Sequence, residues 1–132
     1  MIYGIGVDLV RIRRIEGVIR RWEDRFVNRV FTREEAAFCR RRNSPFPAFA
    51  LRFAAKEAFS KAVGLGMRKG VRWRDIEVFH HPGGRPGLKL YGTCADICRQ
   101  EAITGIHLSL SDEEGYGIAM VVLERGEGGP YA

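Results

Sequence analysis

Residues 52–64 read RFAAKEAFSKAVG, and the placement of this segment decides how the rest of the chain packs. Extended back to Ala48 and wound at about 100° per residue, it carries Ala48, Leu51, Ala55, Ala58, Phe59 and Ala62 on one apolar face. Glu57 and Lys61 fall roughly opposite, beside Ala50, Phe53 and Ala54. Arg52 and Lys56 make a further stripe between these faces, with Phe49 at its edge. A helix apolar on both sides is covered on both sides, so its charges are expected in a cleft and not on an open surface.

The flanking chain supplies what would cover it. Ser44 and Pro45 are expected as N-cap and first helical residue, with Pro47 tolerated in a first turn whose N–H groups lack partners. Gly64 and Gly66 are expected to end the helix. Upstream, Thr32 and Glu35 form a capping box that opens a helix running toward Arg42. Before it, Ile12, Ile15, Ile19, Trp22 and Phe26 step by three and four, the buried stripe of one amphipathic helix. Residues 2–9 read as a short apolar strand ending at Asp8. Downstream, residues 75–80 and LKLYG flank the turn HPGGRPG as a hairpin, and residues 93–103 suggest another helix. IHLSLS and GIAMVVLE read as neighbouring strands, and residues 126–132 as a loose tail. Helices gather early and strands late, which makes the fold class α+β in a single domain over residues 1–125.

Composition narrows the function classes. At 132 residues, 45% hydrophobic and 29% charged, the chain has a globular composition and is long enough for a core without staples. No apolar run approaches a membrane span, and MIYGIGVDLV lacks the basic and small-residue marks of a signal peptide. The expectation is a cytoplasmic protein with no membrane partner. Cys94 and Cys98 sit one turn apart on the late helix, but no second Cys/His pair follows with zinc spacing, so reduced, buried thiols are expected. The net charge is +6, and residues 11–42 hold eleven arginines against five acids. The partner is therefore expected to be anionic.

Three places carry possible chemistry. Glu57 and Lys61 read either as an (i, i+4) pair worth a few tenths of a kcal/mol, or as a carboxylate among cations suited to a hard metal ion with phosphate beside it. Mg²⁺ takes one or two carboxylates and fills its other positions with phosphate oxygens and water. Asp8 is the candidate second carboxylate, and by itself also reads as a helix N-cap. His107, Ser109 and Ser111 share one face of an alternating strand, which is also how a solvated edge looks. Arg14, Val18, Arg21 and Arg25 form a stripe on the first helix, either solvated or a docking surface for an acidic helix. No G-x-S-x-G, P-loop or G-x-G-x-x-G signature is present. A nucleic-acid-binding module would need exposed aromatics, whereas Trp22 and Phe26 are expected in the buried stripe; it also leaves Asp8 and Glu57 without a role. No nucleic-acid partner is expected.

Taken in order, GIGVDLV, FTREE, RFAAKEAFSKAVGLG and IHLSLSDE before a final apolar strand resemble the holo-acyl-carrier-protein synthases, the small phosphopantetheinyl transferases of fatty-acid synthesis. The resemblance runs from about residue 2 to residue 125 at ordinary spacing. It implies the phosphopantetheinyl transferase fold, a small, mainly antiparallel sheet packed against helices. The implied reaction is Mg²⁺-dependent transfer of 4′-phosphopantetheine from coenzyme A to a serine of apo acyl carrier protein, releasing adenosine 3′,5′-bisphosphate. Asp8 and Glu57 would hold the metal, and Lys61, catalytic with them, would face the pyrophosphate. Arg52 and His107 would contact the nucleotide end of coenzyme A, joined by Arg41 or Arg42 at the 3′-phosphate. The acidic carrier gives the stripe of Arg14, Val18, Arg21 and Arg25 a partner. A homotrimer with active sites at subunit interfaces is implied. Two positions depart from the pattern: Asp112 follows Ser111 where many members have histidine, and Arg11 stands where many have glutamate. Carrier domains of polyketide or peptide synthases are an alternative acceptor, although the short single-domain chain favours the fatty-acid type.

Overall fold

The computed structural model describes residues 1–126. The expected tail, apart from Gly126, lies outside the described residues; the Gly126 N–H donates to the Ala102 carbonyl at 2.9 Å. Among the described residues the order is β1 (Ile2–Arg11), α1 (Ile12–Trp22), α2 (Asp24–Val30), α3 (Arg33–Arg40) and α4 (Phe46–Ala62), then a 3₁₀ turn (Trp73–Asp75), β2 (Ile76–His80), β3 (Pro86–Leu90), α5 (Gly92–Gln100), β4 (Ile103–Glu113) and β5 (Tyr116–Arg125). The strands form an antiparallel three-stranded sheet in the order β1-β5-β4 and a separate β2–β3 hairpin. This is the α+β architecture read from the sequence.

The segment RFAAKEAFSKAVG lies in α4, which is buried on nearly every side: Phe49, Ala50, Ala54, Ala55, Ala58 and Phe59 are all in the core. Its inner neighbour is the sheet. Along β1 the residues alternate, with Gly4, Gly6, Asp8 and Val10 toward α4 and Ile5, Val7 and Leu9 left exposed on the outer face. β5 repeats the pattern: Ala119, Val121 and Leu123 are fully buried, and Ile118 and Met120 point outward.

Across α4 from the sheet stands a buried ionic knot. Lys56 is wholly buried, and its Nζ donates to Glu35 Oε1 at 2.8 Å, to the Trp73 carbonyl at 2.9 Å and to the Ile76 carbonyl. Glu35 also accepts from the N–H groups of Thr32 at 3.0 Å and Val78 at 2.9 Å. Burial pushes the Lys56 pKa down, and the Glu35 carboxylate works against that shift. Lys56 thus fastens α4 to α3 and to the start of the hairpin.

Four local expectations are corrected. β1 runs to Arg11, so Asp8 lies inside the strand opposite Ala119 and caps no helix; α1 has Arg11 at its N-cap position, without a side-chain cap. The single helix expected through Phe26 is two, because Glu23 has φ 49° and resets the winding. Val27 and Val30 then take the core positions, and Trp22 is left 45% exposed. This withdraws Trp22 from the case against nucleic-acid binding. Ser44 is not the N-cap of α4 either. The first intrahelical bond starts at Pro45, whose carbonyl accepts from the Phe49 N–H at 3.0 Å, so the helix begins one residue later. Its end is as expected: Gly64 has φ +81°, and the Leu65 and Gly66 N–H groups return to the Ser60 carbonyl at 3.2 and 3.1 Å.

Cys39, Cys94 and Cys98 are buried free thiols, and burial pushes Cys39 and Cys94 up to about 11. Among the described residues no group of three or more His, Cys, Asp or Glu is placed to hold a metal, and no helix is long and apolar enough to cross a membrane.

Candidate active site

The site starts from two missing side chains. A Cβ on Gly6 would lie 1.8 Å from the Ala58 carbonyl oxygen, and one on Gly4 would lie 2.0 Å from that of Ala62. Only glycine lets the two backbones come this close. The close approach seats Asp8, two residues further along the same face of β1, against the polar stripe of α4. Lys61 Nζ donates to Asp8 Oδ1 at 3.1 Å and to the Val7 carbonyl at 3.0 Å. The Asp8 side chain is 16% exposed and that of Lys61 is 51% exposed, so the carboxylate lies deeper and the ammonium stands at the mouth.

Glu57 shares this place. Its pKa is raised first by burial and then by the negative charge of Asp8; Lys61 and Arg14 act in the opposite direction. The Asp8 charge thus disfavours ionisation of Glu57, while Lys61 bonds Asp8 beside them. That arrangement favours a further positive charge. One turn before Glu57 lies Phe53, stacked on Trp73 with ring centroids 5.0 Å apart, and the Arg14 guanidinium lies 5.9 Å from the Phe53 ring. Arg14, Phe53, Glu57 and Lys61 form one continuous track. The sequence offered a signal for Phe53, the (i, i+4) spacing to Glu57, but none for Trp73.

A second cluster gathers around Phe38. The guanidiniums of Arg52, Arg42 and Arg41 lie 4.2, 4.6 and 5.9 Å from its ring centroid, and His80 stacks on it at 5.1 Å with the planes 18° apart. Arg52 is 3% exposed; its Nη1 donates to the Ala48 carbonyl at 3.3 Å, while its buried Nε has no hydrogen-bond partner among the described residues. A cavity of about 410 Å³ opens here, lined by Phe38, Arg42, Arg52 and His80 with Leu110 and Asp112 of β4. Asp112, one of the two departures noted in the sequence, faces this cavity. Phe38 and His80 were missed because nothing in their spacing ties them to Arg52.

The structure thus unites Asp8, Glu57 and Lys61, and separately Arg41, Arg42 and Arg52. His107 joins neither set within the chain. It lies with Ser109 and Ser111 on the outer face of the sheet, paired with Glu124. Arg14, Arg21 and Arg25 are exposed and Val18 is half-buried, but the break at Glu23 puts Arg25 on α2, where it and Arg21 lie 5.6 and 5.1 Å from the Trp22 ring. A cavity of about 770 Å³ beside the 3₁₀ turn contains none of the expected site residues.

Residues 4–121 match the model of the 4′-phosphopantetheinyl transferase superfamily. A holo-acyl-carrier-protein synthase of a Geobacter species is 45% identical over 125 residues, covering 95% of this chain and 100% of the relative. Among solved structures, the holo-acyl-carrier-protein synthase of Neisseria meningitidis superposes with a TM-score of 0.87 at 40% identity, covering 95% of this chain and 100% of that one. The Helicobacter pylori enzyme of the same name, solved in complex with coenzyme A, superposes with a TM-score of 0.81 at 32% identity, covering 91% and 99%.

Proposed function

The chain belongs to the 4′-phosphopantetheinyl transferase superfamily, as a holo-acyl-carrier-protein synthase, and from that premise we propose how its residues divide the work. The transfer joins the serine Oγ of an apo acyl carrier protein to the phosphorus that carries pantetheine. It breaks the pyrophosphate P–O bond of coenzyme A and releases adenosine 3′,5′-bisphosphate, and the serine proton leaves to a water at the site or to Glu57. The observation that carries this reading is the convergence of Asp8, Glu57 and Lys61 at the close approach of β1 to α4.

Asp8 and Glu57 are the metal ligands. Their chemistry fits Mg²⁺: two hard carboxylates, partly withdrawn from water and repelling one another, too few to enclose an ion and so leaving positions for phosphate oxygens and water. When bound, the ion would neutralise charge on the phosphate oxygens during attack. Lys61, at the mouth, faces the pyrophosphate and stabilises the charge left on the departing nucleotide. Because phosphoryl transfer needs positioning and charge neutralisation more than covalent help, these groups suffice for the protein's part. Arg52, with Arg41 and Arg42, binds the nucleotide end.

The acidic carrier docks on Arg14, Val18, Arg21 and Arg25. Arg14 touches both this surface and the Phe53 ring one turn before Glu57, which supports a serine arriving along that track. We assign residues 1–125 to one catalytic domain, working in the cytoplasm and serving the fatty-acid type of carrier. His107 and Arg52 lie on opposite sides of the sheet, so they can act on one nucleotide only if two copies of the chain meet. The exposed apolar face of Ile5, Val7, Leu9, Ile118 and Met120 supports such a meeting, and we assign it to a homotrimer. Incubation with coenzyme A, Mg²⁺ and apo carrier from the same source tests the function. The carrier should gain one phosphopantetheine group by mass spectrometry, and no gain with folded protein would overturn it.

A further inference from the structure

We propose that His80 is the ligand-responsive member of the Phe38 cluster, taking up a proton when a phosphate monoester dianion enters the cavity, so that the 3′-phosphate of the donor is gripped more tightly below neutral pH than above it. This rests on the assignment of Arg41, Arg42 and Arg52 to the nucleotide end, and adds to it a residue and a pH dependence.

The geometry comes first. The His80 ring is held flat against Phe38, which fixes its plane at the edge of the cavity that Arg42 and Arg52 also line. Three guanidiniums surround the same phenyl ring, and the Arg52 Nε, deeply buried, has a donor to spare. Such a set of cations is short of an anion, and a dianion with three acceptor oxygens answers it best. The charged groups facing His80 within one chain are few enough to name, and in the proposed trimer a second copy's His107 joins them at the nucleotide. Arg41 and Arg42 come from the end of α3, Arg52 from α4, and Asp112 from β4. Glu34, Glu77 and Lys89 line an adjoining cavity that His80 shares.

Without an anion, the His80 pKa is pushed below its usual value by burial and then by the charges of Arg52 and Arg42. A phosphate dianion cancels the last two effects and adds an attraction of its own, so the bound-state pKa is higher than the free one. Between those two values, affinity must fall as pH rises; above both, it levels off. The ligand supplies the opposite limb, because a phosphate monoester loses its second charge below about pH 6. Affinity for coenzyme A is therefore bell-shaped, with an acid limb belonging to the phosphate and an alkaline limb belonging to His80.

Calorimetric titration of the protein with coenzyme A and with 3′-dephospho-coenzyme A, from pH 5.5 to 9, separates the possibilities. The alkaline limb should appear with coenzyme A, amounting to about tenfold in Kd for each pH unit by which the ligand raises the His80 pKa. It should be absent with the dephospho compound and lost in His80→Gln, where the acid limb persists. The His80 ring protons should titrate at higher pH once adenosine 3′,5′-bisphosphate is added. An alkaline limb unchanged in His80→Gln, or one lost in Asp112→Asn with His80 intact, overturns the role of His80 and leaves the donor assignment standing. No binding of coenzyme A at any pH overturns the donor assignment and this inference with it.

Discussion

At Lys56 an ammonium group with no exposed surface is held by one carboxylate and two carbonyls; at Glu57, the next residue, a carboxylate looks the other way, toward Asp8. Removing either charge has opposite consequences. Lys56→Met strands Glu35 as an uncompensated buried charge, which costs about 3–5 kcal/mol and should appear as a lowered urea midpoint; a loss below about 1 kcal/mol would contradict the knot. Glu57→Gln removes a group whose folded-state pKa is raised, so ionisation opposes folding once the pH exceeds the unfolded value. The variant should therefore melt no lower than the native chain at pH 7, with any gain vanishing near pH 4, while transfer is lost. The proposed metal ligand was the more legible of the two. Glu57 and Lys61 could be read from (i, i+4) spacing, but the partner of Lys56 lies 21 residues away. The capping box already explained Glu35, and that explanation concealed its second role.

The pairing of β1 with α4 is what turns two separate segments into a site. Gly6→Ala would force the Ala58 carbonyl away from a Cβ that has no room, separating Asp8 from Lys61. Transfer should fall at least tenfold, and the variant should unfold at lower denaturant than the native chain; wild-type activity would show that the close approach is dispensable. Strands, hairpin and helices were legible as elements because their hydrophobic periods are regular, and the capping box formed as read. The helix break was not legible: the apolar period continues through Trp22 to Phe26, and only the backbone at Glu23 departs from it. The extra length of β1 was equally hidden, since its last residues pair with β5 through backbone groups that carry no side-chain signal.

For the whole molecule, the sheet has one face on α4 and another presenting Ile5, Val7, Leu9, Ile118 and Met120. A face of this kind marks an interaction surface, His107 rides on it, and the proposed homotrimer would cover it. A charge placed there, as in Met120→Glu, should convert a three-chain particle to single chains in sedimentation velocity, with transfer lost as the shared site comes apart; a native chain sedimenting as a monomer with full activity would contradict the trimer. The carboxylate pair is tested by the mass of apo carrier protein after incubation with coenzyme A and native, Asp8→Ala or Glu57→Gln chains, each with Mg²⁺ or with chelator. The phosphopantetheine gain should appear with the native chain and Mg²⁺ alone, both variants remaining folded by circular dichroism. Full transfer by either variant, or by the native chain in chelator, would contradict the pair's role as metal ligands.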